Sequence, residues 1–221
     1  HTQRVAFLAH QEMAILRRDE ASYFALDGTP LAKTPQQVPY DPISAAKGGY
    51  RHFMLKEIME QPEAAMDTLR GRMDFDPPGV SLEDWPFTLE QTKAFERVVL
   101  VGMGTSFHAA LVGRFLIEGL ARIPAEVDNA SEFRYRQPQL NPRTLVVSVG
   151  QSGETVDTLA AMDEAKRQGA SQITVCNVVG SQATRIADGV IYTRAGLEVG
   201  VAASKTFTAQ LVALYLLATH L

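Results

Sequence analysis

Two short segments of this chain combine glycine with small hydroxyl residues immediately after apolar runs. They are Gly104-Thr105-Ser106, which follows the run at 98–101, and Gln151-Ser152-Gly153-Glu154-Thr155, which follows the run at 145–149. Each stands where a buried strand is expected to pass into a helix, whose first N–H groups lack partners and whose dipole attracts an anion. Hydroxyls add donors with little bulk, and glycine lets the backbone approach a ligand. We therefore predict a pocket for a phosphorylated small molecule.

Two other interpretations of these segments compete with a phosphate pocket. Ser and Thr cap helices for purely structural reasons, so each segment could be a simple N-cap. Gly102 and Gly104 also look like the start of a dinucleotide fingerprint, with Asp128 at the distance of a ribose-binding acid. That fingerprint needs a third glycine where this chain has Phe107, and no lysine follows the turn as a P-loop requires. Because the carboxyl ends of parallel strands line one crevice, one shared binding site explains both segments better than two separate caps.

The elements that would position both segments follow from the apolar pattern. From about residue 88, β-branched runs alternate with amphipathic stretches, which predicts an α/β fold: a doubly wound, mostly parallel five-stranded sheet covered on both faces. The predicted strands are residues 98–101, 125–127, 145–149, 173–176 and 190–192. The predicted helices are residues 107–121, 155–168 and 201–221, with short ones near 131–135 and 181–187.

The residues before this sheet have a different texture. Short runs at 4–9, 12–17 and 22–26, with a turn signal at Asp27-Gly28, predict a β-hairpin segment too small to bury a core alone. The following parts are predicted as a linker at 33–49, a helical stretch at 50–72 broken near Gln61-Pro62, and a loop at 74–86. We therefore predict three parts: residues 1–32, 33–87 and 88–221. Because the chain opens at His1 without methionine and stops inside a predicted helix, we expect a piece of a longer protein.

Composition excludes several classes of function. The 221 residues are 46% hydrophobic and 21% charged, as in ordinary globular proteins. A formal charge of −4 gives no general attraction to nucleic acid or to an anionic membrane, and no apolar run is long enough to span a bilayer. A single cysteine excludes an internal disulfide and fits a reducing compartment, so a cytoplasmic location is predicted. The five histidines lack ligand spacing, and no metal is assigned.

The remaining reactive side chains form no catalytic group in the sequence. Cys176 ends an apolar run without a nearby histidine and is predicted to be a core thiol. His108 is expected to be solvated or to pack. Lys205 is expected to be solvated, with a catalytic role in the crevice as the alternative, and Glu57 is expected to support an interface. No catalytic residue is assigned within this chain.

From residue 50 to residue 221 the chain resembles the glutamine–fructose-6-phosphate aminotransferases (isomerising), the glucosamine-6-phosphate synthase family. The stretches that carry the resemblance are YRHFMLKEI at 50–58, QP at 61–62, SEFRYR at 131–136, QSGET at 151–155, CNV at 176–178 and EVGVA at 198–202. The first and third of these are the most specific to the family. Residues 1–32 also resemble the closing strands of the family's glutaminase domain.

The resemblance implies a first sugar-isomerase (SIS) domain that holds the phosphate of fructose 6-phosphate, without an organic cofactor or a metal. It assigns phosphate contacts to Thr105, Ser106, Gln151, Ser152 and Thr155, and sugar contacts to the backbone around Val201 and Ala202. The family's cysteine nucleophile belongs to the glutaminase domain, and its acid, base and imine-forming lysine belong to a second SIS domain. The resemblance therefore implies that this chain binds sugar phosphate without converting it, and that the whole protein is a homodimer.

Two positions depart from the family's pattern. Gly150 stands where the family usually has serine before the QSGET run, and Ala203 stands where it usually has serine after Val-Ala. Losing one hydroxyl donor to a phosphate costs about 1.5–3 kcal/mol, roughly ten- to hundred-fold in affinity, unless a glycine amide or a water replaces it. We therefore expect weaker or rearranged phosphate binding in a site that Gly150 still lines. The alternatives are a regulatory SIS domain that senses a sugar phosphate, and a deglycase or isomerase for another phosphorylated ketose-amine.

Overall fold

The structure, a computed structural model, describes residues 4–37 and 47–221 and divides the chain into two compact units, His1–Pro42 and Ile43–Leu221. In the first unit the strands are Arg4–Val5 (β1), Glu12–Leu16 (β2), Ala21–Ala25 (β3), Pro30–Leu31 (β4) and Gln36–Gln37 (β5). Strands β2, β3 and β4 form an antiparallel sheet, and β1 pairs with β5. The predicted strand at 4–9 is wrong beyond Val5: residues 6–9 are not in a strand, and the described pairing with β5 joins Arg4 to Gln37 and Val5 to Gln36. Part of the predicted linker, residues 38–46, lies outside the described residues.

Two helices open the second unit. They are Phe53–Met59 (α1) and Gln61–Leu69 (α2), so the predicted break near Gln61-Pro62 is confirmed. Proline fits there because the first turn of a helix has no use for its missing N–H. Helix α2 and Arg72, which follows it, are bound to residues 192–193: Thr68 Oγ1 donates to the Thr193 carbonyl at 2.6 Å, and Arg72 Nη1 donates to the Tyr192 carbonyl at 2.7 Å.

A small hairpin follows where the sequence predicts only a loop. Met73–Phe75 (β6) pairs antiparallel with Pro78–Val80 (β7), so the prediction of a loop over 74–86 is wrong at its start. Three-residue strands are too short to show an alternating pattern, and the prolines and glycine between and within them give only a turn signal. Leu89–Lys93 (α3) comes next, closed at its start by a capping box between Thr88 and Gln91.

The centre of the second unit is a five-stranded, all-parallel sheet. Its strands are Arg97–Gly102 (β8), Ala125–Asn129 (β9), Thr144–Val149 (β10), Ser171–Cys176 (β11) and Gly189–Tyr192 (β12). They lie in the order β12-β11-β10-β8-β9. The predicted doubly wound α/β fold is confirmed.

Helices cover both faces of this sheet. They are Gly104–Leu116 (α4), which continues as a π-helix over Ile117–Ala121, then Ala130–Phe133 (α5), Val156–Arg167 (α6), Gln182–Ile186 (α7) and Lys205–His220 (α8). Alternate strand residues point to opposite faces. Leu100 and Val147 pack in the core that includes residues of α4 and α8, whereas Val101 and Val146 pack in the core that includes residues of α5 and α6. Both faces are therefore apolar, as the continuous β-branched runs predict.

Two predicted helix starts are wrong, and both corrections concern the site. Helix α4 begins at Gly104, three residues before the predicted position, because the positive φ of Gly104 (+54°) turns the chain into the helix directly after Met103. Helix α8 begins at Lys205, four residues after the predicted position. The Glu198 carboxylate accepts hydrogen bonds from the amides of Ser204 and Thr206, so the apolar residues 201–203 stay outside the helix.

Candidate functional site

The two hydroxyl segments lie at the point where the winding of the sheet reverses. Strands β8 and β10 are neighbours, and Gly102 at the end of β8 pairs with Val149 at the end of β10. The chain leaves β8 through α4, which packs on one face, and leaves β10 through α6, which packs on the other. Both segments therefore leave one edge of the sheet at adjacent positions, which is where open α/β sheets bind their ligands.

The first segment forms the opening turn of α4. Thr105 is exposed, whereas Ser106 is buried beneath it. The Ser106 Oγ accepts a hydrogen bond from Nε2 of Gln210 in α8 at 3.0 Å. Since this bond uses only a lone pair of the hydroxyl, the Ser106 proton remains available to an anion.

The second segment is a tight turn packed against the start of α7. Gly153 has a φ of +66°, and a Cβ built on it would overlap the Ser181 hydroxyl and crowd the Cys176 sulfur. The Ser152 Oγ accepts from the Glu154 amide at 3.2 Å, so its proton is also free. Gln151 is partly exposed, and its carbonyl accepts from the Asn177 amide at 3.1 Å. Thr155, exposed, stands at the N-cap position of α6.

Simple capping does not account for either segment. The N-cap residue of α4 is Met103, which makes no side-chain cap, and Thr155 makes no side-chain cap hydrogen bond to α6. The Glu154 carboxylate instead accepts from the Gln182 amide at the start of α7. The N-cap interpretation is therefore wrong for both helices, whose first turns have no side-chain cap.

Gly150 cannot compensate for the missing serine through its own amide. The Gly150 N–H donates to the Val175 carbonyl at 2.9 Å, continuing the ladder between β10 and β11. A Cβ at this position would have only one neighbour, the Gly153 nitrogen at 3.9 Å. The site therefore has an open space where the family usually places a hydroxyl.

The third predicted segment, with Val201 and Ala202, lies between β12 and α8. Both residues are exposed, and Val201 is fully so. The segment begins at the same edge of the sheet as the other two, because β12 is parallel to its neighbours. It leads into α8, whose Gln210 contacts Ser106 of the first segment.

Charged residues line a cleft of about 260 Å³ beside this third segment, where α1 and α2 face residues 194–197. Lys205 is buried and pairs with Glu60 at 2.7 Å, so the expectation of a solvated lysine is wrong. Burial opposes ionisation of Glu60, but its ion pairs with Lys205 and Lys56 outweigh burial and hold its pKa below the ordinary value.

Glu57 and Gln210 make contacts in the site that the sequence did not predict. Glu57, only 2% exposed, accepts hydrogen bonds from the amides of Val199 and Gly200, and its predicted support of an interface stays a prediction. Gln210 orients Ser106 from a distance of 104 residues. Both residues are polar but lie on an apolar face of their helix. Glu57 comes four residues after Phe53, and Gln210 comes three residues after Phe207. A polar residue at such a position is the one local signal in the sequence that indicates them.

Other candidate chemistry gains no support from the geometry. Cys176 is buried as predicted, and burial raises the pKa of its thiol. Within residues 4–37 and 47–221, no three His, Cys, Asp or Glu side chains are placed to hold a metal ion. Across the same ranges, no helix has both the length and the apolar character needed to cross a bilayer.

These features define the class of the second unit: an open, doubly wound α/β domain in which two helices start without side-chain caps at the switch point. Residues 92–220 match the SIS domain family, and the chain belongs to that family. The predicted family resemblance is confirmed as well. The chain is 48% identical over 218 residues to the glutamine–fructose-6-phosphate aminotransferase (isomerizing) of Caldanaerobacter subterraneus, which covers 99% of this chain and 36% of that protein.

Further comparisons agree with this assignment. The protein of the same name from Gloeobacter violaceus is 48% identical over 221 residues, again over 36% of its length. The chain thus spans about a third of the length of these curated relatives. Among solved structures, the C-terminal domain of glucosamine-fructose-6-phosphate aminotransferase from Francisella tularensis superposes with a TM-score of 0.72 at 39% identity, covering 78% of this chain and 48% of that one.

Proposed function

We propose that this chain binds the phosphate of fructose 6-phosphate as part of a glutamine–fructose-6-phosphate aminotransferase. The observation that carries the proposal is the pair of helices α4 and α6, which start without side-chain caps at adjacent strand ends. The N–H groups of these uncapped first turns and the free protons of Ser106 and Ser152 supply donors without a positive charge. A phosphate dianion is the ligand that such a set of donors suits best.

The predicted contacts divide into two groups in this proposal. Thr105, Ser106, Gln151, Ser152 and Thr155 donate to the phosphate from the two turns, with Gly150 lining the gap beside them. Val201 and Ala202 present their backbone to the sugar. The hydroxyl of Ser106 is held in one orientation, because its oxygen accepts a hydrogen bond from Gln210. This bond directs the Ser106 proton away from Gln210.

The reaction of the whole protein is part of the same proposal. Ammonia released from glutamine condenses with the carbonyl group of ring-opened fructose 6-phosphate with loss of water, and proton transfer isomerises the resulting imine to glucosamine 6-phosphate. The glutaminase domain, the second SIS domain, a homodimer and a cytoplasmic location belong to this proposal as well. Its support is the shared name of relatives that match 99–100% of this chain. The chain itself contributes binding and contains none of the proposed catalytic groups.

One observation favours a second candidate for the substrate. The open space at Gly150 leaves room for a phosphate ester held in a different pose. A deglycase or isomerase that acts on another phosphorylated ketose-amine is therefore the alternative activity.

Calorimetric titration tests the binding proposal directly. We expect fructose 6-phosphate to bind, and Ser152→Ala to weaken that binding about tenfold through loss of one charge-assisted hydrogen bond. Glucosamine 6-phosphate and glucose 6-phosphate, titrated in parallel, show whether the site distinguishes the ketose phosphate from aldose phosphates. Ser171→Ala is the matched control, because Ser171 begins β11 at the opposite edge of the sheet. Absence of binding, or equal affinities for wild type and Ser152→Ala, would contradict the proposal.

A further inference from the structure

The third segment of the site, which contains Val201 and Ala202, is held by the buried carboxylate of Glu57. The proposed function gives this residue no role. Glu57 lies in α1 and is 2% exposed. Its Oε1 accepts from the Val199 amide at 2.6 Å and from the Gly200 amide at 3.1 Å, and its Oε2 also accepts from the Gly200 amide at 3.1 Å. One carboxylate therefore binds two consecutive backbone amides more than 140 residues away in the sequence.

The backbone of the segment is adapted to this carboxylate. A Cβ built on Gly200 would overlap the Glu57 Oε2, and it would also approach the Met54 backbone at 3.6 Å. Gly200 has no positive φ, so the close approach to Glu57 is what restricts this position to glycine. The residue that follows is Val201, which is fully exposed.

The other end of the segment is fixed as well. The Glu198 carboxylate accepts from the amides of Ser204 and Thr206 and from the Thr206 hydroxyl, which closes the segment into a loop. Lys205 is paired with Glu60, next to α1. Between these two anchors, the amides of Val201 and Ala202 have no hydrogen-bond acceptor among residues 4–37 and 47–221.

We propose that Glu57 is a positioning residue for the sugar: it holds residues 199–200 so that the free amides of Val201 and Ala202 are presented to the ligand's hydroxyls. The inference rests on the proposed function. It separates two tasks within one site, because the two hydroxyl turns bind phosphate whereas the Glu57-bound loop binds the carbohydrate. Glu57 itself does not touch the ligand.

Glutamine at position 57 isolates the role of the carboxylate. It has nearly the same volume, but its NH₂ group would face a backbone N–H donor and it keeps only one acceptor oxygen. Pre-ordered donors bind more tightly than mobile ones, because no ordering cost remains to be met on binding. We therefore expect Glu57→Gln to weaken fructose 6-phosphate binding about tenfold and to leave the affinity for inorganic phosphate within about twofold.

The experiment compares calorimetric affinities of the 221-residue chain for fructose 6-phosphate and for inorganic phosphate. Glu90→Gln is the control, since Glu90 is exposed on α3 and does not line the cleft. Gly200→Ala is the second variant, because it displaces the same loop without changing the acid. Amide hydrogen exchange of residues 198–204 is expected to be faster in Glu57→Gln and in Gly200→Ala than in the control.

The outcomes separate the inference from its premise. A selective loss of fructose 6-phosphate affinity, with faster exchange of the loop, supports it. Equal losses for both ligands, or no loss for either, overturn it while the proposed function stands. Absence of binding of both ligands by the wild type overturns the proposed function and this inference together.

Discussion

At the scale of single residues, the absence of a hydroxyl group at Gly150 is expected to lower the affinity of the site for phosphate. The open space around its Cβ position admits serine, and its φ lies outside the left-handed region. We expect Gly150→Ser to bind fructose 6-phosphate about tenfold more tightly in calorimetry, because it adds a donor next to the second turn. Gly119→Ser, in an exposed position of the π-helix, is the control. Unchanged or weaker binding by Gly150→Ser would show that position 150 does not face the phosphate.

Cys176 provides a second test at this scale. Burial raises the pKa of its thiol, and the hydrogen bond with Ser181 offsets only part of that effect. At pH 8 we expect iodoacetamide to label the native chain at least a hundredfold more slowly than the chain unfolded in guanidinium, as followed by mass spectrometry. Because the folded pKa is raised, the thiol's contribution to stability is complete below the unfolded pKa of about 8.5 and is lost as the pH rises towards the folded value. Equal labelling rates would mean that the thiol is accessible.

At the scale of elements, the two turns differ in how firmly they are packed. Gly104 and Gly153 both have positive φ, but only Gly153 has neighbours that a Cβ would overlap. We expect Gly104→Ala to lower the free energy of unfolding by about 1–2 kcal/mol through backbone strain alone. Gly153→Ala adds overpacking against Ser181 and should cost about 3 kcal/mol or more. Urea unfolding measures both, and equal costs would contradict the packing of the second turn against α7.

The elements also show what a sequence can reveal about this fold. Strand β10 and helix α6 agree with the prediction to within one residue at each end, because long apolar runs and an amphipathic period are local signals. The hairpin of β6 and β7 was missed because three residues carry no period. The predicted start of α8 was wrong because the carboxylate of Glu198 binds the Ser204 amide and so fixes where the helix begins. Glu198 precedes the apolar residues from which the start of the helix was predicted.

The candidate site likewise has parts that a local sequence pattern indicates and parts that it does not. The adjacent placement of the two hydroxyl turns could be predicted from the sequence, because each turn is a contiguous motif at a strand end. The bonds of Glu57 to residues 199–200 and of Gln210 to Ser106 join residues more than 100 positions apart, so no local pattern states them. Only the folded topology brings such pairs together.

At the scale of the whole molecule, the two units differ in what they bury. Every buried apolar residue of the described chain lies between Ala64 and Ala218, inside the second unit. Among residues 4–37 none is buried, and Leu16 and Leu26 are largely exposed. Because burial of apolar area is the main favourable contribution to folding, the second unit contains the stabilising core of this chain.

This division predicts the result of a truncation. All the proposed binding residues lie in the second unit, so we expect residues 43–221 alone to bind fructose 6-phosphate with an affinity within about twofold of the 221-residue chain. The midpoint of thermal unfolding, followed by circular dichroism, should change by no more than a few degrees, because residues 4–37, the described part of what is removed, contain no buried apolar side chain. A matched pair of Ser152→Ala variants, one in each length of chain, should show the same loss of affinity. A large fall in midpoint or affinity on truncation would mean that the first unit stabilises the site, which its exposed strands do not indicate.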